Sequence, residues 1–262
     1  MIPDPRSLDI RAIAYLRGVL VEDRLLVGAQ GRIVIRGSRA KVAVDSSIPE
    51  EGRKRFVAAH ELGHFELHRQ EAHLFKCKEE YFELWQKQNP AIEREANVFA
   101  SELLMPTHMF VEAASGMTPN LDSVRELADR FSTTLTATGL RFLDFTTEPC
   151  AVICSQEGAV QWCKRTSTFG QWIPSGQVLG ENTYAYDFFN GKSLPQGPAE
   201  VLATAWFPEA RLKPGATIQE HSLGMPSYRS VLALLVVKDI IECEEDEVVD
   251  DHFTPDGKRY RW

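Results

Sequence analysis

"RFVAAHELGHFELH", residues 55–68, sets two histidines four residues apart with a glutamate directly after the first. Four residues make just over one helical turn, so on a helix His60 and His64 project from one face and can reach a common point. The flanking "FVAA" and the internal "LG" are apolar or small, which predicts a buried helix. A polar side chain taken from water needs a partner, and one metal ion would serve both imidazoles. Zn2+ accepts neutral imidazole nitrogens and imposes little geometry of its own. Glu61, one residue round the helix, would flank such an ion without having to ligate it. A general base that takes a proton from water needs that position. The bland alternative is a chance pattern on a solvated face, and the apolar surroundings argue against it.

One coordination position must stay open for chemistry, so a third protein ligand is required. The extended pattern that would supply it from the same segment is absent, because Leu67 stands where its glycine would be. His68 lies roughly 80° round the helix from His60. It reads as a packing histidine or one that supports a ligand from behind, and His73 reads as a surface residue. A second long helix is expected after "QNP", with Asn89 as its cap and Pro90 in its first turn. It runs through "AIEREANVFASELLM" and stops before Pro106. Ile92, Ala96, Phe99, Ala100 and Leu103 form its apolar stripe.

Glu93 and Asn97 border that stripe four residues apart. Glu93 can complete a two-histidine, one-carboxylate site, and Asn97 can hydrogen-bond a ligating side chain. Glu95 competes, but it points about 200° away from Glu93 and its i+4 neighbour is the core residue Phe99. Glu102 is further along. All three could equally be surface carboxylates; Glu93 is the choice.

The two blocks "RFVAAHELGHFELH" and "EREANVFASELLMP" together resemble the ImmA/IrrE family of metallopeptidases. In that family the His-Glu-x-x-His helix is followed by Glu-x-x-Ala-Asn-x-Phe-Ala and then Leu-Leu-Met-Pro. Both stand here almost complete, and the similarity covers roughly the first half of the chain. The resemblance implies a zincin-like α+β domain, with His60, His64 and Glu93 as ligands of one zinc ion per chain and Glu61 as general base; another divalent metal is the alternative. It also implies a substrate class, because known members cleave helix-turn-helix repressors and so induce stress or mobile-element genes. Tyr81, His68 and His108 are available as a second oxyanion donor, and no spacing favours one of them.

The chain has 262 residues, 44% hydrophobic and 25% charged, which suits one or two globular domains. Its 29 Lys and Arg against 37 Asp and Glu give a formal net charge of −8. Such a field repels a phosphate backbone, so DNA binding would need a local basic patch. Much of the acidity sits in "ECEEDEVVDD", read as a solvated loop. The start, "MIPDPRSLDIRAIAYLRG", carries acids and prolines where a signal peptide would be basic and then apolar. "VLALLVV" at 231–237 is far too short to span a bilayer. No membrane association is expected, and the expected location is cytoplasmic. Five cysteines without Cys-x-x-Cys argue against a disulfide framework or a zinc ribbon. Cys150 and Cys154, four residues apart on a strand-like stretch, read as reduced thiols.

"SLDIRAIAYLRGVL" predicts a helix with Ile10, Ile13, Ala14, Leu16 and Leu20 on one face. "RLLVGAQGRIVIRGSRAKVAVD" predicts a small antiparallel sheet. Pro49 and Gly52 are expected to break the chain before the next helix. "LDSVRELADRF" and "TLTATGLRFLDF" predict two short helices in a helix-turn-helix-like arrangement. The second offers little beyond Arg141 for phosphates, so a bracing pair is expected and direct DNA binding is not. Beyond residue 147 the texture changes to strands, with a hairpin at Glu157–Gly158 and a buried strand in "SVLALLVVKD". The expected architecture is therefore α+β in three segments: a zincin-like metallopeptidase domain over 1–118, a helical segment over 119–147, and a second α+β domain over 148–262. In the longer, IrrE-like members of the family a GAF-like domain, which can bind a small molecule, occupies this last place. Trp162, Trp172, Trp206 and Trp262 are expected mostly in its core.

Two functions follow. The leading one is a zinc-dependent endopeptidase of narrow specificity, acting on a helix-turn-helix repressor. The alternative is a non-proteolytic metal-binding regulator that acts through ligand or DNA binding by its second half. Glu61 favours the enzyme, since a purely structural metal site has no use for a general base.

Overall fold

In the computed structural model, residues 4–69, 74–77 and 90–237 are described. Asn89, His73, Tyr81, Cys243, Trp262 and the C-terminal acidic run lie outside them.

Asp9 caps the first helix, α1 (Ile10–Leu16), its Oδ1 accepting from the backbone N–H of Arg11 and Ala12 at 2.9 and 3.0 Å. The helix stops sooner than its apolar spacing suggests. Gly18 takes φ +87°, and an added Cβ would meet the Ser38 carbonyl at 2.9 Å. That turn sends Leu20 into β1 (Val19–Arg24), where it is exposed, instead of onto the helix stripe. β2 (Gly31–Arg36) and β3 (Arg39–Asp45) form a tight hairpin, and β4 (Leu74–Cys77) adds to the free side of β2, giving the order β1-β3-β2-β4. β1 pairs in parallel with β3. The sheet is thus mixed and not wholly antiparallel as expected: the chain reverses between β1 and β2, and β3 is inserted between them antiparallel to β2, so β1 runs with β3.

α2 (Glu51–His68) lies on this sheet, with Phe56, Val57, Ala59 and Leu62 in one core with Ile33, Ile35, Val42 and Val44. Gly52 is not a breaker. It sits inside α2, where a Cβ would come 2.8 Å from the Thr133 carbonyl carbon, so its lack of a side chain lets a later turn approach the helix. α3 (Pro90–Leu104) packs along α2 and ends, as expected, before Pro106. Gly63 permits that contact, since a Cβ there would lie 3.2 Å from Ala96 Cα and 3.1 Å from Phe99 Cδ1.

α4 (Thr107–Ala114) leads to the helix pair α5 (Leu121–Phe131) and α6 (Leu135–Phe142). Asn120 and Thr134 cap the pair, and Ser132 turns it at φ +51°. Its role is bracing: Val124, Leu127, Phe131 and Phe142 are buried in the core. Arg141 is engaged by Glu102, the Met105 carbonyl and Thr107 Oγ1.

The second half is a five-stranded antiparallel sheet of β5 (Cys150–Gln156), β6 (Ala159–Arg165), β7 (Ala199–Leu202), β8 (Thr217–Met225) and β9 (Ser230–Val236), in the order β6-β5-β9-β8-β7. Glu157 and Gly158, both at positive φ, make the β5–β6 turn where it was expected. Every residue of β9 is buried. Alternation along the strands splits the sheet into two faces. Cys150, Val152, Leu232 and Leu234 join the core of the first half, while Ala151, Ile153, Ala233 and Leu235 pack with Trp206, Phe169 and Phe207. Trp206 is fully buried, whereas Trp172 is 71% exposed. One continuous core therefore crosses the composition boundary near residue 147.

Candidate metal centre

α2 and α3 meet at three donors. His60 Nε2 and His64 Nε2 lie 3.0 Å apart. The carboxylate of Glu93, from the first turn of α3, lies 3.3 Å from the former and 3.5 Å from the latter. These are the separations that ligand atoms about 2 Å from one zinc ion would have, since a tetrahedron of that size has edges of about 3.3 Å. Among the described residues this is the one such cluster of histidine, cysteine or carboxylate groups. Both imidazoles are buried and Glu93 is 22% exposed, so one side of the site faces solvent.

The electrostatics fit a cation. Burial alone would raise the Glu93 carboxyl, but hydrogen bonds and charge from His60 and His64 overcome it and hold the group down at about 2. Burial pulls His60 down, and the hydrogen bond to Glu93 with the charges of Glu61 and Glu93 turns its net shift upward. His64 shifts downward, from burial first and then from His60 and His68. The pocket favours positive charge near two carboxylates and resists a second proton. A dication bound by two neutral imidazoles and Glu93 meets both conditions.

Behind the donors, each imidazole has a partner on its other nitrogen. His60 Nδ1 is 3.0 Å from Asn97 Oδ1. His64 Nδ1 is 3.2 Å from His68 Nδ1, and His68 Nε2 is 2.9 Å from Glu95 Oε2. Glu61 is fully buried, its carboxylate resting where a Cβ of Gly31 would otherwise be. Asn97 also lines a groove of about 780 Å³ between α2, α3, α6 and the β8–β9 turn, walled by Phe56, Val98, Leu140, Trp162 and Met225.

Residues 35–143 match the family model of the M78 peptidases, described as the IrrE N-terminal-like domain. The likeness to that family covers this stretch, which is less than half of the chain. The match begins at the end of β2 and ends just past α6, so it takes in β3, the three donors and the bracing helix pair. A transcriptional regulator of Mycobacterium tuberculosis superposes with a TM-score of 0.54 at 15% identity, over 90% of this chain and 72% of that one. At that identity the likeness is one of fold, and it runs beyond the matched stretch into the second sheet. No curated protein matches the chain.

The structure brings His60, His64, Glu93 and Asn97 together and sets Glu61 beside them. Glu102 is drawn away to Thr107 and Arg141, and His108 is exposed. Two features around the site escape a reading of the sequence. One is the Glu95–His68 contact, which joins side chains of two different helices. The other is Gly31, which occurs in an ordinary strand and reveals its use only where α2 crosses it.

Proposed function

We propose that this chain is a zinc-dependent endopeptidase of narrow specificity. The convergence of two imidazole Nε2 atoms and one carboxylate at tetrahedral-edge distances, beside a buried glutamate, carries this reading. His60, His64 and Glu93 would hold the ion, which when bound supplies Lewis-acid chemistry toward water and a peptide carbonyl. Glu61 takes the proton from the attacking water and later returns it to the leaving amine. Its burial beside His60 restricts the carboxylate to a narrow range of positions, which is what a base acting on a fixed water requires. Asn97 holds the His60 ring.

The substrate class rests on the family resemblance: a helix-turn-helix repressor whose cleavage induces a stress or mobile-element response. The groove beside Asn97 has room for a segment of such a partner. The second sheet is read as a GAF-like regulatory module that could take a small-molecule ligand, a reading supported by its five antiparallel strands with apolar packing on both faces. Among the described residues no helix is long and apolar enough to cross a membrane, and a cytoplasmic location is part of the proposal.

The test compares cleavage of candidate repressors by the wild-type protein and Glu61→Gln, each with and without Zn2+. The wild type should cleave only with the metal, and Glu61→Gln should bind zinc but leave the substrate intact. Equal cleavage by both proteins would remove the mechanism.

A further inference from the structure

The contacts behind His64 form a directed chain. Glu95, when ionised, can only accept, so the 2.9 Å contact requires the proton on His68 Nε2. With His68 neutral, that is its one N–H, and its Nδ1 is a lone pair. At 3.2 Å from it, His64 Nδ1 must be the donor. That leaves the lone pair of His64 on Nε2, the atom 3.0 Å from His60 Nε2 and 3.5 Å from Glu93. With His68 neutral, the carboxylate at the end sets the direction of both hydrogen bonds.

We infer that Glu95 and His68 are positioning residues, which lock His64 in the tautomer and ring orientation that turn its Nε2 lone pair toward the ion. The inference rests on the metal-site reading above. Ligating histidines are ordinarily held by a carboxylate, carbonyl or water directly. Here a second imidazole is interposed, and it carries the influence of a solvent-facing residue into a buried site. Glu95 is 59% exposed while His68 and His64 are 4% and 0% exposed in their side chains. Position 95 can therefore be changed without opening a cavity. His60 is held differently, by the neutral amide of Asn97. The two ligands thus have separate supports, and a change at Glu95 should act on one alone.

The donor logic gives an ordered series. Glu95→Gln can still accept through its amide oxygen and should retain near wild-type behaviour. Glu95→Ala removes the acceptor. Glu95→Lys offers only donors, which would place the His68 proton on Nδ1 and the His64 proton on Nε2, the wrong nitrogen for an ion. Zinc affinity of the full chain, measured by competition with a chromophoric chelator at one fixed pH, should fall about 10- to 100-fold in Glu95→Ala and further in Glu95→Lys. Thermal unfolding of the metal-free proteins should show all three still folded.

The second readout needs no metal. Long-range 15N–1H spectra of the metal-free protein should show His64 protonated at Nδ1 in the wild type and Glu95→Gln, and at Nε2 in Glu95→Lys. Wild-type zinc affinity in both Glu95→Ala and Glu95→Lys, or a His64 tautomer that ignores residue 95, would overturn the inference. A wild type that fails to bind zinc but shows the expected tautomers would instead count against the metal-site reading.

Discussion

Gly31 on β2 and Glu61 on α2 are in direct apposition: a methyl group at position 31 would occupy the space held by Glu61 Oε1 and would come 2.7 Å from Val57 Cγ1. The strand's missing side chain is thus the seat of the proposed base. Gly31→Ala should push the carboxylate out of place. Hydrolysis is expected to fall by about 100-fold, the scale of a misplacement of about 1 Å, while zinc affinity stays close to wild type. The added volume should also cost about 1–3 kcal/mol of stability. Steady-state kinetics on a cleaved repressor, beside chelator competition, would check the split, and an unchanged rate would refute the assigned seat.

Gly63 sets how closely α2 and α3 approach. A Cβ at this position already falls 3.1 Å from Phe99 Cδ1 and 3.2 Å from Ala96 Cα. Gly63→Val must spread the helices, carrying Glu93 away from His60 and His64. Stability should drop by about 1–3 kcal/mol, and the rise in melting temperature on adding zinc should shrink relative to wild type. A full zinc-dependent rise in the valine variant would show that the separation does not control the site.

His221 joins the two halves. Its Nδ1 accepts from the Leu121 N–H at 3.1 Å, at the first turn of α5, and burial keeps the imidazole below its ordinary value of 6.5, with Asp122 opposing and Arg125 adding. Only the neutral ring can accept there. Because the folded value is depressed, this contribution is whole above about pH 6.5 and is lost as pH falls toward the folded value. His221→Leu should therefore be less stable than wild type by about 1 kcal/mol near pH 7.5, with a gap that narrows toward pH 5. Unfolding midpoints of both proteins across that range would measure it; a constant gap would contradict the assignment.

Burial pushes the thiols of Cys150 and Cys163 up to about 12, with Glu148 adding at Cys150 and Arg165 opposing at Cys163. Thiolates are the reactive form. In the native protein at pH 8, iodoacetamide should leave both unlabelled, and both should react fully in denaturant, as read by peptide mass spectrometry. Fast native labelling of either would show that the β5–β6 hairpin opens.

Much of the site is visible in two short blocks because helical spacing is local: residues three or four apart share a face wherever the helix goes. His60 and His64 follow from that rule, and so do Glu93 and Asn97 relative to one another. Glu95 does not. Its angle on α3 points away from Glu93, and its worth depends on a crossing that brings it to His68 at the far end of α2. Gly52 misleads for a related reason, since a helical glycine that admits the Thr133 turn looks the same in sequence as one that ends a helix.

From its residues alone, this chain determines where its helices and strands form, which faces are apolar, and that two histidines, a glutamate and a nearby Glu-x-x-Ala-Asn block are suited to a zinc-type site. The tertiary structure alone decides which carboxylate meets the imidazoles, which glycine seats Glu61, that β1 runs parallel to β3, and that the helix pair braces two sheets through one core. The division has a physical cause. Backbone periodicity and capping act over a few neighbouring residues, whereas packing distances between separate elements arise only from the summed fit of the whole chain.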